Sequence, residues 1–296
     1  MNQAQAQQTW QTAREVSPFG ADFWEGVWQE AKDASPLKSS QQVHPQRWRD
    51  FYDRMGAAWQ QGWGEPWVLG RRVTDLLLHE GLLAPGSTVL DLGCGPGTMS
   101  IPLAESGARV TALDSAQGMI AALNDEASQR GLEGVEARCQ CWRQVLPVPS
   151  YDLVLAASFP PALGVEGLQR MESLSRGQCA LVLSCGGDPF SFRRELWERV
   201  LQEPYPSSGF HQSCALNYLL ASGCQPNLRH LSWDQRYSQP LESVVGFYKA
   251  YFAIFGVHGP LVEENIRQVL APWVQDDVVE AQGRVGIAVL WWSKQP

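Results

Sequence analysis

The stretch "VLDLGCGPGTMSIPLA", residues 89–104, decides the fold. Val89, Leu90 and Leu92 around Asp91 read as a buried strand, Gly93, Gly95 and Gly97 as a turn, and the apolar residues after Thr98 as a helix. Glycine admits positive φ and lets a ligand approach the backbone without meeting a Cβ. Open α/β sheets bind ligands at the carboxyl ends of their strands, which is where Asp91 falls. It can pair there with an ammonium group. Asp114 ends the next strand candidate, "RVTALD" (109–114), where an acid can accept both hydroxyls of a ribose. A dinucleotide site asks for G-x-G-x-x-G, whereas the spacing here is G-x-G-x-G with Thr98 in the slot of the third glycine. That weighs against a pyrophosphate-bearing cofactor.

Working outward, further strands are expected at 134–139, 151–157 and 179–185, with helices at 98–106, 116–130 and 162–174. Continuous apolar strands separated by helices mean a parallel sheet covered on both faces. The expected fold is a doubly wound α/β core, a mostly parallel seven-stranded sheet completed by "NLRHLSWDQRYS" (227–238) and "RVGIAVLWWSK" (284–294). Three regions are expected. Residues 1–66 form an N-terminal arm and helical cap, 67–187 the binding core, and 188–296 a helical cover with the last two strands. Within the first, residues 1–17 read as a frayed arm, "DFWEGVWQEAKDA" (22–34) as a helix, "SPLKSSQQVHP" (35–45) as a loop, and "PQRWRDFYDRMGAAWQQ" (45–61) as a second helix. Seven of the thirteen Trp residues lie between Trp10 and Trp67. Such density fits an aromatic cap packed on something else, and it also offers a surface for a dimer.

A chain of 296 residues with 44% hydrophobic and 18% charged residues can bury a sizeable core. The net charge of −8 disfavours nucleic acid as a partner, because affinity for phosphate backbones comes largely from Lys and Arg. The N-terminus lacks a basic segment followed by an apolar run, and no run approaches a membrane span. A cytoplasmic protein without a membrane partner is expected. Seven scattered cysteines fit reduced thiols, and no paired Cys/His cluster accompanies Cys139 and Cys141, so no metal is expected.

"VLDLGCGPG" followed by "ALDSAQGMI" (112–120) resembles the first two motifs of class I S-adenosylmethionine-dependent methyltransferases. The resemblance implies S-adenosylmethionine as cofactor and S-adenosylhomocysteine as product. It places Gly93, Cys94, Gly95 and Gly97 under the methionine and ribose parts, Asp91 at the methionine end, Asp114 on the ribose, and Ser115 and Met119 near the adenine. Many relatives carry an acid after the third strand, where "ARCQCWRQV" (137–145) has none. In this reading Gln140 or a backbone group takes the polar contact and Trp142 stacks on the base, with Cys141 and, at the end of the fourth strand, Ala157 also among the cofactor-binding residues. Arsenic methyltransferases share the fold and use thiols, a reading opposed by ordinary buried cysteines.

Transfer from a sulfonium chiefly requires a collinear, dry arrangement, so the catalytic residue stays unassigned. Substrate-pocket candidates are Trp48 and Tyr52 in the cap, Ser158 and Phe159 after the fourth strand, and Tyr248 and Tyr251 in the late aromatic helix. His211, His230 and His258 read as structural or surface histidines. "SFPPAL" (158–163) stands where base-methylating relatives keep (Asp/Asn)-Pro-Pro-(Tyr/Phe), but Phe159 and Ala162 replace the polar and aromatic residues. The expected acceptor is a small molecule in an enclosed pocket. The alternatives are a macromolecular acceptor or a noncatalytic module that binds the cofactor.

Overall fold

A computed structural model describes residues 20–61, 67–206 and 209–293, with the backbone alone at 57–61. The expected arm at 1–17 lies outside the described residues. Four helices come first: α1 (Ala21–Asp33), α2 (Pro36–Val43), α3 (Pro45–Gln61) and α4 (Val68–His79). The core follows as β1 (Thr88–Leu92), α5 (Ser100–Glu105), β2 (Arg109–Asp114), α6 (Gln117–Gln129), β3 (Val135–Cys139), β4 (Tyr151–Ala157), α7 (Val165–Leu174) and β5 (Ser175–Ser184). Then come α8 (Ser191–Leu201), α9 (Phe210–Ala221), β6 (Asn227–Pro240), α10 (Leu241–Ala253), α11 (Pro260–Leu270), β7 (Val274–Gln275) and β8 (Val278–Ser293).

The strand order is β3-β2-β1-β4-β5-β8-β6, with β7 paired to β8. Strands β1 to β5 are parallel, and β8 runs antiparallel to both β5 and β6. The two-residue β7 makes the sheet eight-stranded where seven were expected. Alternation along the strands sorts side chains to two faces. Leu90, Leu92, Val154 and Leu181 pack with α7, α9 and Trp28 of α1. Val89, Val110, Leu155 and Val182 pack with α4, α5 and α6. Asp91 shares the second face with Val89, so its carboxylate is directed at α5.

Two departures from expectation matter for the site. The loop expected at 35–45 contains α2, because Ser35 caps it by accepting from the Lys38 amide at 3.5 Å and Pro36 occupies its first turn. The last two strands are also longer than expected: β6 and β8 pair over fourteen registers, from Asn227–Trp291 to Pro240–Val278. Only residues 287–293 of β8 pair with β5, so the rest of the ribbon runs past the sheet. Its overhang supports a separate core of Tyr237, Val279 and Ala281 with Phe192 of α8, Tyr248 and Phe252 of α10, and Ile266 of α11.

Candidate active site

Asp91 is 1% exposed, and its Oδ2 accepts a 2.6 Å hydrogen bond from the Ser100 hydroxyl at the start of α5. The other oxygen, Oδ1, is buried with no partner among the described residues. Burial pushes this carboxyl up to about 7, helped by the nearby charge of Asp114 and opposed by the Ser100 bond. Three glycines of the following turn have positive φ, +69° at Gly93, +53° at Gly95 and +99° at Gly97. Gly93 is the position that tolerates least. A Cβ there would come within 2.1 Å of the Phe159 ring, so glycine is what allows the strand-4 loop to lie on the turn.

Asp114 ties the turn to the second strand. Its Oδ2 accepts from the Gly95 amide at 3.1 Å and its Oδ1 from the Ala116 amide at 2.9 Å. Burial raises its pKa while the amides of Ala116, Gly95 and Ser115 oppose the rise. Each oxygen keeps lone pairs that can accept from a diol. Ser115 is exposed and Met119 is 2% exposed. Cys94 is buried at the turn, and its thiol is held well above the usual range by burial. The backbone amide of Gln140 donates to the Asp114 carbonyl at 2.8 Å, while Gln140, Cys141 and Ala157 are half-buried. Trp142 is buried, in edge contact with Phe159 at 5.8 Å, with the Arg143 guanidinium 5.5 Å from its ring centre.

The cap reaches this region through α3. Asp53 Oδ1 accepts from the Gly118 amide at 2.7 Å in the first turn of α6, a favourable place for an anion. Gly56 and Gly118 let the two helices touch: a Cβ on Gly118 would lie 1.9 Å from the Asp53 carbonyl, and one on Gly56 would lie 2.2 Å from the Gly118 carbonyl. Tyr52, one residue before Asp53, has its phenol raised by burial and by the Asp114 carboxylate. Gly118→Ala is therefore expected to cost about 1–3 kcal/mol of overpacking, to loosen α3 and to speed limited proteolysis within residues 45–61. Unchanged cleavage there would show that this contact does not hold the cap.

Of the substrate-pocket candidates, Trp48, Tyr52, Tyr248 and Tyr251 come together. Trp48 lies 5.9 Å from both Tyr52 and Tyr251, and Tyr251 lies 6.4 Å from Tyr248. This seam joins the cap to α10. Tyr248 faces the overhang core, where Arg193 and Asp188 (3.7 Å) sit with Tyr205, whose hydroxyl donates to Asp188 at 2.7 Å. Ser158 is exposed at the end of β4 with φ +49°, a left-handed value uncommon outside glycine, and its amide donates to the Val182 carbonyl at 2.9 Å. Ser158→Gly is expected to raise stability by about 1 kcal/mol in a thermal melt by removing that strain. A lower melting point would mean that the serine side chain makes a compensating contact.

Ser100, which bonds Asp91, and Asp53, which bonds the start of α6, were absent from the candidates. Ser100 carried a signal: a hydroxyl one turn beyond the glycines, on the face of Asp91. Asp53 is positioned by a contact with an element 65 residues away.

The glycine turn and the acids at two adjacent strand ends stand at the carboxyl edge of a central parallel sheet, where open α/β sheets bind ligands. Residues 89–203 match the family model described as a methyltransferase domain. The chain is 39% identical over 98 residues to a ubiquinone biosynthesis O-methyltransferase of Methylobacterium, covering 33% of this chain and 37% of that protein. It is 38% identical over 88 residues to cypemycin N-terminal methyltransferase of Streptomyces, covering 29% and 32%. Among solved structures, magnesium protoporphyrin IX methyltransferase of Synechocystis with bound SAM aligns at a TM-score of 0.45 and 16% identity, over 84% of this chain and 90% of that one. The matches to these curated relatives span about a third of their length.

Proposed function

We propose that the protein is an S-adenosylmethionine-dependent methyltransferase acting on a small acceptor between the N-terminal cap and the strand-4 loop. The observation that carries this reading is the buried, unpartnered Oδ1 of Asp91 beside the glycine turn. A buried carboxylate oxygen without a donor is costly, and an ammonium group from a bound amino acid moiety removes that cost. Asp91 would hold the methionine end, Gly93, Gly95 and Gly97 would admit the chain of the cofactor, and Asp114 would accept from the ribose. When bound, the cofactor supplies an electrophilic methyl group on a sulfonium for in-line displacement.

The residues of this chain orient the reactants and exclude water. Helix α3 closes over the start of α6, and Phe159 lies on Gly93. Both contacts favour an enclosed site, as does the overall negative charge, which opposes a nucleic-acid acceptor. Calorimetry should show binding of S-adenosylmethionine and S-adenosylhomocysteine. Transfer from methyl-tritiated S-adenosylmethionine, offered with the low-mass, protein and RNA fractions of a cell extract, should label the low-mass fraction. Label confined to protein or RNA would overturn the small-acceptor reading.

A further inference from the structure

Between α1, α2, α9 and the loop after β4, three nitrogen-bearing side chains come together with no salt-bridged carboxylate among the described residues. His211, in the first turn of α9, is 2% exposed, and its Nδ1 lies 2.9 Å from the Trp28 indole nitrogen. An indole N–H only donates, so Nδ1 is the acceptor and Nε2 carries the ring proton. Burial, with the charges of Lys38 and Lys32, lowers the pKa of the ring to about 3 and keeps it neutral. The Nε2 donor is buried and has no partner among the described residues.

The two lysines have little to neutralise them. Lys38 Nζ contacts Gln41 Oε1 at 3.3 Å, and among the described residues no carboxylate lies within 4.0 Å of either ammonium. Burial, reinforced by Lys32, lowers Lys38 to about 8. Lys32 is lowered by burial, with Asp33 and Glu166 opposing. Both of these acids are exposed and otherwise engaged: Asp33 accepts from Gln29 at 2.8 Å, and Glu166 pairs with Arg143 at 3.2 Å. The Lys32 ammonium lies 3.1 Å from where a Cβ would stand on Gly164, the N-cap of the ten-residue α7. A helix N-terminus repels a cation and attracts an anion. Two ammonium groups, a helix N-terminus and a buried N–H donor therefore add to one positive region. It borders the strand-4 loop that begins at Ser158 and lays Phe159 on the glycine turn.

Resting on the methyltransferase reading, we propose that Lys32, Lys38, His211 and the N-terminus of α7 form a subsite for an anionic group, carboxylate or phosphate, of the methyl acceptor. His211 then acts as a neutral hydrogen-bond donor, and Trp28 fixes its tautomer. The aromatic rings of Trp28 and Phe210 flank it, the latter 4.0 Å from the imidazole. An acceptor with an apolar body and one anionic end fits these walls.

The test is a titration of ¹⁵N-labelled protein with benzoate, phenyl phosphate and benzamide, read at the Trp28 indole N–H after assignment with Trp28→Phe. At least one of the two anions should shift that resonance saturably, and the tighter identifies the group; benzamide should not. Lys38→Met and Lys32→Met, each checked by thermal melt, should weaken the anion at least tenfold. No saturable shift, an equal response to benzamide, or undiminished binding by both folded variants would overturn the subsite. The titration runs with and without S-adenosylhomocysteine, whose own binding is measured by calorimetry. Loss of cofactor binding with a working anion site would sink the methyltransferase reading alone, and the reverse would sink only the subsite.

Discussion

Asp91→Asn should melt several degrees above the wild-type chain at pH 8 while binding S-adenosylmethionine at least tenfold more weakly. The carboxyl is pushed up to about 7 in the folded protein, against about 4 in an unfolded chain. Between those values the folded state holds the proton more firmly, so this contribution to stability is full below about pH 4 and is lost as pH rises through 7. At pH 8 the ionised, half-partnered carboxylate costs the ligand-free protein on the order of 3–4 kcal/mol. Asparagine avoids that cost and can still accept the Ser100 hydroxyl through its carbonyl oxygen. It cannot pair with an ammonium group. Wild-type affinity should accordingly fall as pH drops below 7, by up to about tenfold per unit where one ionisation governs binding. The variant should show a flattened profile. Calorimetry from pH 5.5 to 8.5 measures both. A pH-independent wild-type affinity would remove Asp91 from the cofactor site.

Asp114→Ala should weaken S-adenosylmethionine by about a hundredfold or more, because two charge-assisted hydrogen bonds to a ribose are worth about 1.5–3 kcal/mol each. Asp114→Asn should be nearly as damaging. In the ligand-free protein each carboxylate oxygen already faces a backbone amide, Gly95 on one side and Ala116 on the other. A carboxamide must turn its NH₂ toward one of those donors, so it either loosens the glycine turn or breaks the bond to the Ala116 amide just before α6. The fold should survive both substitutions, which circular dichroism checks. Affinity within threefold of wild type would refute the ribose assignment.

The core was legible because its signals are local. Strands buried on both faces leave unbroken apolar runs, the turn needs positive φ at several glycines, and the acids follow from strand register. What escaped the sequence depends on packing or on capping hidden in polar composition. The helix from Pro36 to Val43 has few apolar residues, so its Ser-Pro start was outweighed by the run of Ser and Gln. The start of β8, residues 278–283, lay outside the expected last strand, since Val279 and Ala281 pack in the overhang core with Phe192 and Tyr248, far from them in sequence. His211 read as structural, and one of its nitrogens is. Its partner Trp28 lies 183 residues away, so the donor left over on the other nitrogen had no trace in the local sequence.

The insertion of β8 between β5 and β6 bears on how the molecule is made. The edge strand β6 emerges from the ribosome earlier yet has no place in the sheet until β8 arrives. The cofactor half, β1 to β5 with α4 to α7, can organise during synthesis, but the apolar edge of β5 stays open until the last strand fills it. Contacts this distant in sequence form slowly. A nascent chain halted before β8 would present that edge to other chains.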